Sequence, residues 1–302
     1  MSDRWIAPAP MLARVVQRLE RVLAPPSTRY LPLHVGDKIA GRVTAERARR
    51  LAGWPEWFDV NNDGVYCSRS LFTAETRTKV FADVARALAA EGALTAWRGE
   101  LYAVVPTSDA PLFELERAAA RYFGIHTFAA HANGVVGSSD RWHMWLARRS
   151  PAKAIDPGSL DNLVGGGIAS GASIADTLVR EAREEAGIAA PLARKAIAAG
   201  AVEIHRDQPD GLQRETIYVH DLWLPADFAP ANQDGEAVEH RLCDPDEVLA
   251  VTATDDITAD ASLVIVDFLM RHGHVPTSDT SFAALDALRR AARGTARQRA
   301  LQ

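Results

Sequence analysis

Three glutamates at helical spacing are the residues of this chain best suited to chemistry. Glu181, Glu184 and Glu185 lie in residues 180–188, which read REAREEAGI. A helix turns by about 100° per residue, so these carboxylates project from one side within an arc of roughly 100°. Like charges this close repel one another, and a hard divalent cation is the simplest partner that would hold them together. The spacing therefore indicates a carboxylate-bound metal.

A glycine-rich segment comes directly before this helix, with glycines at positions 165–167 and 171. Glycine permits positive φ and close backbone approach, so we expect a loop that directs carbonyl or amide groups at a metal or a phosphate. Ser173, with Asp176 three residues later, predicts the start of the helix, and Gly187 predicts the left-handed residue that ends it. The loop, the helix and its end are all specified locally.

Two other interpretations of this segment are weaker. Glutamate-rich helical faces are common and are usually solvated, with i,i+4 pairs such as Arg180 and Glu184. A solvated face gives no reason for the glycines and the helix end at these spacings, so the metal hypothesis is favoured. A phosphate-binding P-loop is excluded, because no Gly-Lys-Ser/Thr follows the glycines.

Residues 166–188 resemble the sequence box of the Nudix hydrolases. The box positions are filled by Gly166, Arg180, Glu181, Ala182, Glu184, Glu185, Gly187 and Ile188. One position departs, because Ala172 stands where the family has its first Glu. That Glu usually supports the site, so the departure affects the surroundings of the metal more than the fold.

The resemblance implies a hydrolase that cleaves a diphosphate bond with bound Mg²⁺ or Mn²⁺. Glu184 and Glu185 would be the leading metal ligands. Glu181 would be a third ligand or the base that takes a proton from water. The backbone carbonyl of Gly166 would complete the shell, and Arg180 would hold the acidic cluster in position.

Family members often add an acidic residue from a later loop. Glu236 is the predicted additional ligand, with Glu239 as the substitute, although a plain surface carboxylate explains Glu236 nearly as well. Six histidines occur at strand alternation and are interpreted as packing or substrate-contacting residues, not metal ligands: His126, His131, His143, His205, His220 and His240.

Segments outside the box resemble one branch of the superfamily, for example TFAAHANGVVG at 127–137 and PGSLDNLVGGGIASG at 157–171. That branch has an additional N-terminal α/β domain and is related to the part found beside thiamine pyrophosphokinase in some eukaryotic proteins. The likeness implies thiamine diphosphate, or a damaged analogue, as a substrate cut to the monophosphate. The aromatic residues that could stack on its rings are more often core residues: Trp54, Trp57, Trp142, Trp145 and Trp223.

Two alternatives stay open at this point. A nucleoside diphosphate derivative such as ADP-ribose, NADH or an oxidised dNTP would use the same metal site. A non-catalytic Nudix binding module is the other alternative, and Ala172 is the feature that favours it.

Composition limits the class of protein. The chain has 302 residues, 47% of them hydrophobic and 24% charged, as expected for a globular protein of about two domains. A formal net charge of −5 favours a small-molecule partner over nucleic acid.

Cys67 and Cys243 are far apart and are expected to be free thiols. The N-terminus lacks signal-peptide features, and the apolar run at 261–270 is too short for a bilayer span, so cytoplasmic residence without membrane insertion is expected. The oligomeric state stays open.

The order of predicted elements indicates an α/β fold. We expect a Nudix α/β/α sandwich with a mixed sheet at 125–280, preceded by a smaller α/β domain at 1–124. Residues 281–302 are expected to form a solvated helix or tail that carries Arg289, Arg290, Arg293, Arg297 and Arg299. Within the first domain, the pattern predicts a hairpin at 94–105 and a helix at 113–123.

Overall fold

Two mixed β-sheets carry the chain, and the computed structural model describes residues 4–105 and 110–290. The helices are α1 (Ala9–Val22), α2 (Ala45–Leu51), α3 (Ala74–Ala90), α4 (Ile174–Ala186), α5 (Ala190–Ala193), α6 (Pro245–Thr252), α7 (Ala259–Arg271) and α8 (Ser281–Arg290). The strands are β1 (Tyr30–Val35), β2 (Lys38–Thr44), β3 (Phe58–Val60), β4 (Val65–Cys67), β5 (Leu101–Val104), β6 (Phe113–Glu116), β7 (His126–Gly137), β8 (Trp142–Arg149), β9 (Leu160–Asn162), β10 (Val164–Gly167), β11 (Ile197–Gln208), β12 (Gly211–Leu224) and β13 (Ala237–Cys243). The predicted tail residues Arg293, Arg297 and Arg299 and the side chain of Arg290 lie outside this description.

The N-terminal sheet has the strand order β2-β1-β4-β3, with β1 and β4 parallel and the other pairs antiparallel. Helix α3 covers it through an apolar face that includes Phe81. The Phe81 ring stacks on Phe113 with centroids 4.0 Å apart, and this contact joins the helix to the β5–β6 pair.

The prediction for 94–123 was wrong in both parts. Strand β5 does not pair with residues 94–97 but runs antiparallel to β6, with Leu101 opposite Glu116. The predicted helix at 113–123 begins instead as a strand, because Phe113 and Leu115 alternate with polar residues and are both buried. A short 3₁₀ turn, Arg117–Ala119, follows the strand.

The second sheet has the order β11-β12-β7-β8-β13, with β10 paired to β7 and β9 paired to β8. It is mixed, because β12 and β7 run parallel while the other pairs are antiparallel. Helices α4 and α5 pack on one face, and α1, α6, α7 and α8 pack on the other. This confirms the predicted α/β/α sandwich beside a smaller α/β region.

Helix α1 lies away from the sheet that follows it in sequence. Its buried residues Leu12, Val15 and Leu19 belong to the same core as α6, α7 and α8. Arg18 fixes this position, because its guanidinium donates to the carbonyl of Thr252 at 3.2 Å and also to the carbonyl of Ile257. Helix α1 therefore packs with the layer of helices that covers the second sheet, although its residues lie within the range 1–124 predicted for the first domain. Helix α8 packs against α1 in the same layer, with Leu285 in the core and Arg289 buried and paired with Asp267 at 3.1 Å. The expectation of a solvated helix was therefore wrong for residues 281–290.

Both cysteines are free thiols. Among the described helices, none combines the length and apolar character that a membrane crossing needs. The five tryptophans considered as ring-stacking residues pack in or against the hydrophobic cores instead.

Candidate active site

Helix α4 carries the three glutamates and has the predicted ends. The Ser173 hydroxyl accepts a hydrogen bond from the Asp176 amide at 3.0 Å, and Gly187 ends the helix with φ 66°. Leu178, Ala182 and other apolar residues of the helix are buried against the sheet. The acidic residues therefore keep a fixed orientation relative to the sheet.

The predicted glycine loop is a strand. Residues 165–167 belong to β10 and pair antiparallel with β7, with Gly165 opposite His131. These glycines are needed for space and not for positive φ, which only Gly171 of the four adopts. A Cβ on Gly166 would overlap the Glu181 carboxylate, and a Cβ on Gly167 would overlap the hydroxyl of Tyr102. The glycines thus let two side chains lie directly on the strand.

Two of the three carboxylates share one arginine, and the third bonds to the backbone. Glu185 accepts a hydrogen bond from the backbone amide of Gly165 at 2.8 Å. Arg180 pairs with Glu181 at 2.6 Å and with Glu184 at 3.0 Å. Glu181 is buried, and Glu184 and Glu185 are partly exposed. Strand β10 and helix α4 are called the box wall here, because the Glu185 carboxylate bonds to the Gly165 amide; of the two elements, β10 lines the cavity described below and α4 does not.

Burial and repulsion raise the pKa of two of these carboxyls. The pKa of Glu185 lies well above its ordinary value, because it is desolvated and close to Glu181. Burial also raises the pKa of Glu181, and the attraction of Arg180 opposes this. The cluster therefore holds negative charge that the local protein groups neutralise only in part.

The donor set suits a hard divalent cation, since carboxylate and carbonyl oxygens are its preferred ligands. In residues 4–105 and 110–290, however, no three His, Cys, Asp or Glu side chains converge on one ready metal position. The Arg180 guanidinium bonds to Glu181 and Glu184, and Glu185 is turned to the Gly165 amide. A cation would compete with Arg180 for these oxygens.

The two predicted additional acids lie on either side of the start of β13. Glu236 pairs with Arg98 at 2.8 Å and also with Lys153. Glu239 is exposed and pairs with Arg148 at 3.3 Å. Each carboxylate thus already has a cationic partner.

A cavity of about 390 Å³ lies beside the box wall, between the two halves of the chain. Residues 165–167 line it from the box side. The N-terminal half contributes Arg98, Tyr102 and Arg117, and Lys153 contributes from the loop after β8. These four residues are called the second wall. The N-terminal half therefore shares the candidate site with the box.

Backbone strain concentrates at this cavity. Among the described residues, the non-glycine residues with positive φ are Ala96, at 61°, and Asp156, at 46°. Both line the cavity. Such conformations cost about 1 kcal/mol or more each and persist only where the surrounding structure imposes them. Their location agrees with a functional role for the cavity.

The second wall was not predicted from sequence, whereas His131, one of the six histidines interpreted as packing or substrate-contacting, lies at the cavity. His131 lines the cavity, and its Nδ1 hydrogen-bonds the side chain of Asn162 at 2.9 Å. The Asn162 side chain donates a hydrogen bond to Asn133, which in turn donates to Asp221. Asp221 also pairs with Arg271. His240 lies elsewhere, with Nε2 3.1 Å from the backbone carbonyl of Glu185. No sequence signal linked Tyr102 or Arg98 to the box.

Ala172 lies beside a second cavity, of about 330 Å³. Phe128, Ile174 and Tyr218 line it with Ala172. An alanine in place of the family's first Glu thus faces mainly apolar neighbours and not the carboxylate cluster.

Comparison with known protein families divides the chain in two. Residues 11–127 match the family described as Domain of unknown function (DUF4743), and residues 128–263 match the NUDIX domain. The structure of a MutT protein from Methanosarcina mazei Go1 is similar at 20% identity and a TM-score of 0.37, covering 49% of this chain and 92% of that chain.

Two curated relatives extend over most of the chain. Nudix hydrolase 24, chloroplastic, of Arabidopsis thaliana is 37% identical over 269 residues, which is 88% of this chain and 73% of that protein. The chain belongs to the Nudix hydrolase family. Nudix hydrolase 20, chloroplastic, of the same plant is 36% identical and covers 85% of this chain and 71% of its own length. As a Nudix hydrolase, the protein is a pyrophosphohydrolase, an enzyme that cleaves a diphosphate bond.

Proposed function

We propose that this Nudix hydrolase uses Mg²⁺ or Mn²⁺ to cleave thiamine diphosphate, or a damaged analogue of it, to the monophosphate. The observation that carries the proposal is the distribution of charge along the cavity between the halves. One end adjoins the box, and the other end holds carboxylates that suit a positively charged ring.

Strand register separates these two ends. On β7, His131 is opposite Gly165 at the box end, and Thr127 is opposite Glu215. His131 lies four residue steps along the strand from Thr127, which is roughly 13 Å. A diphosphate at the box would therefore leave its organic part pointing towards Glu215.

One side-chain amide, that of Gln213, connects two carboxylates at the acidic end of the cavity. Gln213 Nε2 donates to Glu215 at 3.1 Å and to Asp260 at 3.3 Å. Asp260 Oδ1 is buried and accepts no hydrogen bond from the described residues, and its nearest cation is Arg206 at 3.7 Å. Asp156, which also lines the cavity, has a pKa raised by burial and by repulsion from Asp260. A cationic thiazolium ring would offset this negative charge, whereas a neutral nucleoside base would not.

The box residues have the following proposed roles. Glu184 and Glu185 hold the metal, with Glu181 as a third ligand or as the base that takes the proton from water. The Gly166 carbonyl is a further candidate ligand, and Arg180 orients Glu181 and Glu184. When bound, the metal supplies positive charge that offsets the diphosphate oxygens as water attacks.

A substrate panel tests the proposal. The purified protein with Mg²⁺ is incubated with thiamine diphosphate, a damaged analogue, ADP-ribose, NADH and an oxidised dNTP, and products are followed by phosphate release and mass spectrometry. We expect thiamine monophosphate and phosphate. Cleavage of the nucleotides alone would overturn the substrate assignment, and no cleavage of any compound would favour the non-catalytic module.

A further inference from the structure

We propose that Arg98 and Lys153, one from each half of the chain, form a subsite for a phosphate group of the substrate, and that Glu236 positions both cations. The inference rests on the proposed function, because the subsite takes its anion from a diphosphate substrate. It assigns the N-terminal half a direct part in substrate binding.

Glu236 joins the two cations from behind the cavity. Its Oε1 accepts a hydrogen bond from Arg98 Nη1 at 2.8 Å, and its Oε2 pairs with Lys153 Nζ. Arg98 and Lys153 both line the cavity, whereas Glu236 is absent from the cavity lining. The Glu236 carbonyl accepts a hydrogen bond from the Ser150 amide at 2.8 Å, which fixes the loop. The carboxylate therefore anchors the cations and leaves their other donors to the cavity.

The charge count favours an anion at this position. Of the four other arginines that line the cavity, three have a carboxylate of their own, in the pairs Arg117–Glu100 at 2.8 Å, Arg149–Asp161 at 2.8 Å and Arg121–Asp210 at 3.4 Å. The fourth, Arg214, donates to the backbone carbonyl of Gly124 at 3.5 Å. Arg98 and Lys153 share the single carboxylate of Glu236. Within this group of three side chains, two positive charges face one negative charge.

The subsite lies next to the box. Lys153 lines the same cavity as Gly165, whose backbone amide donates to the Glu185 carboxylate at 2.8 Å. The Lys153 side chain is only 11% exposed, so water hydrates its charge poorly. A diphosphate held at the box carboxylates through a metal would place its phosphate oxygens within reach of these cations. An arginine fork and a lysine together suit such oxygens.

This role for Glu236 differs from the predicted role as a metal ligand. A carboxylate that anchors two cations has little capacity left for Mg²⁺. Loss of an anchor should weaken binding of the diphosphate, whereas loss of a ligand should weaken binding of the metal. The two roles therefore predict different measurements.

Binding of methylenediphosphonate, a diphosphonate that cannot be hydrolysed, tests the subsite. Its Kd is measured by calorimetry with Mg²⁺ for the full-length protein and for Arg98→Ala and Lys153→Met. We expect each change to raise Kd about tenfold or more, the effect of losing one hydrogen bond to a charged group. The KM for the cleaved substrate should rise by a similar factor, with a smaller change in kcat.

Matched variants control for general effects of lost charge. Arg86→Ala removes an exposed arginine of α3, and Lys195→Met removes an exposed lysine, both remote from the cavity lining. Both should bind the diphosphonate like the wild-type protein. Arg98→Lys keeps the charge and should recover part of the affinity. Wild-type Kd in Arg98→Ala and Lys153→Met, or no binding by the wild-type protein, would overturn the subsite.

The Glu236→Gln variant distinguishes a role in positioning the two cations from a role as a metal ligand. We expect a KM and a diphosphonate Kd raised several-fold, with the Mg²⁺ concentration for half-maximal activity unchanged. An altered Mg²⁺ requirement with unchanged Kd would overturn the positioning role. If the wild-type protein binds the diphosphonate through Arg98 but cleaves no diphosphate, the subsite stands and the proposed function fails. If the protein cleaves the diphosphate but its affinity does not depend on Arg98 or Lys153, the proposed function stands and the subsite fails.

Discussion

The two walls of the cavity are built in opposite ways. The box wall comes from one continuous stretch of sequence. Ser173 starts its helix, Gly187 ends it, and the Glu185 carboxylate accepts a hydrogen bond from the Gly165 amide. The second wall depends on contacts between distant segments, such as Arg98 with Glu236, 138 residues apart in sequence. On the roles proposed above, the reaction chemistry would depend on local structure, and recognition of the substrate would depend on how the two halves meet.

The largest effect is expected in the box wall. Glu185→Gln should lower kcat by about 10²–10³-fold, the scale of losing one preorganised electrostatic group. Steady-state hydrolysis of the best diphosphate in the panel measures this loss. Glu75→Gln, an exposed glutamate in the first turn of α3, is the matched control. Equal activity of these two variants would remove Glu185 from the mechanism.

Helix α4 was also the part of the box wall that sequence could predict. The helix, its caps and the side of the glutamates follow from 3.6-residue spacing and local capping chemistry. The glycine strand was not predicted, because its glycines make room for the side chains of Glu181 and Tyr102 and do not form a turn. The strand at Phe113–Glu116 was missed for a related reason, since its pairing with β5 depends on long-range register.

The contact between the walls should respond next. Gly167→Ala would place a methyl group on the Tyr102 hydroxyl and should destabilise the protein by about 1–3 kcal/mol, the usual cost of overpacking. Urea unfolding at equilibrium gives this value. In a Tyr102→Phe background the cost should fall by about 0.5 kcal/mol or more, because the overlapping hydroxyl is gone. An unchanged cost in that background would mean that the walls are not in contact.

The smallest effect concerns a link between the halves outside the cavity. Asp207 on β11 accepts hydrogen bonds from the Ser27 amide at 2.9 Å, the Thr28 amide at 3.0 Å and the Tyr30 hydroxyl at 2.7 Å. These bonds oppose the desolvation of the carboxyl and lower its pKa to about 2. Asp207→Asn should therefore cost about 1 kcal/mol at pH 7.

The pH dependence of that cost has a definite sign. A lowered pKa in the folded state means that the stabilisation is present above the unfolded value of about 3.9 and is lost as the pH falls towards 2. The difference in unfolding free energy between wild type and Asp207→Asn should shrink between pH 5 and pH 2.5, values that bracket about 3.9. A difference that stays constant over this range would show that the charge of Asp207 does not join the halves.

A crystal structure with Mg²⁺ and methylenediphosphonate tests most directly whether the two walls form one site. We predict that the ligand lies against the box carboxylates, with phosphonate oxygens about 3 Å from the Arg98 guanidinium and the Lys153 ammonium. A diphosphonate bound at the box without contact to either cation, or bound outside this cavity, would contradict it.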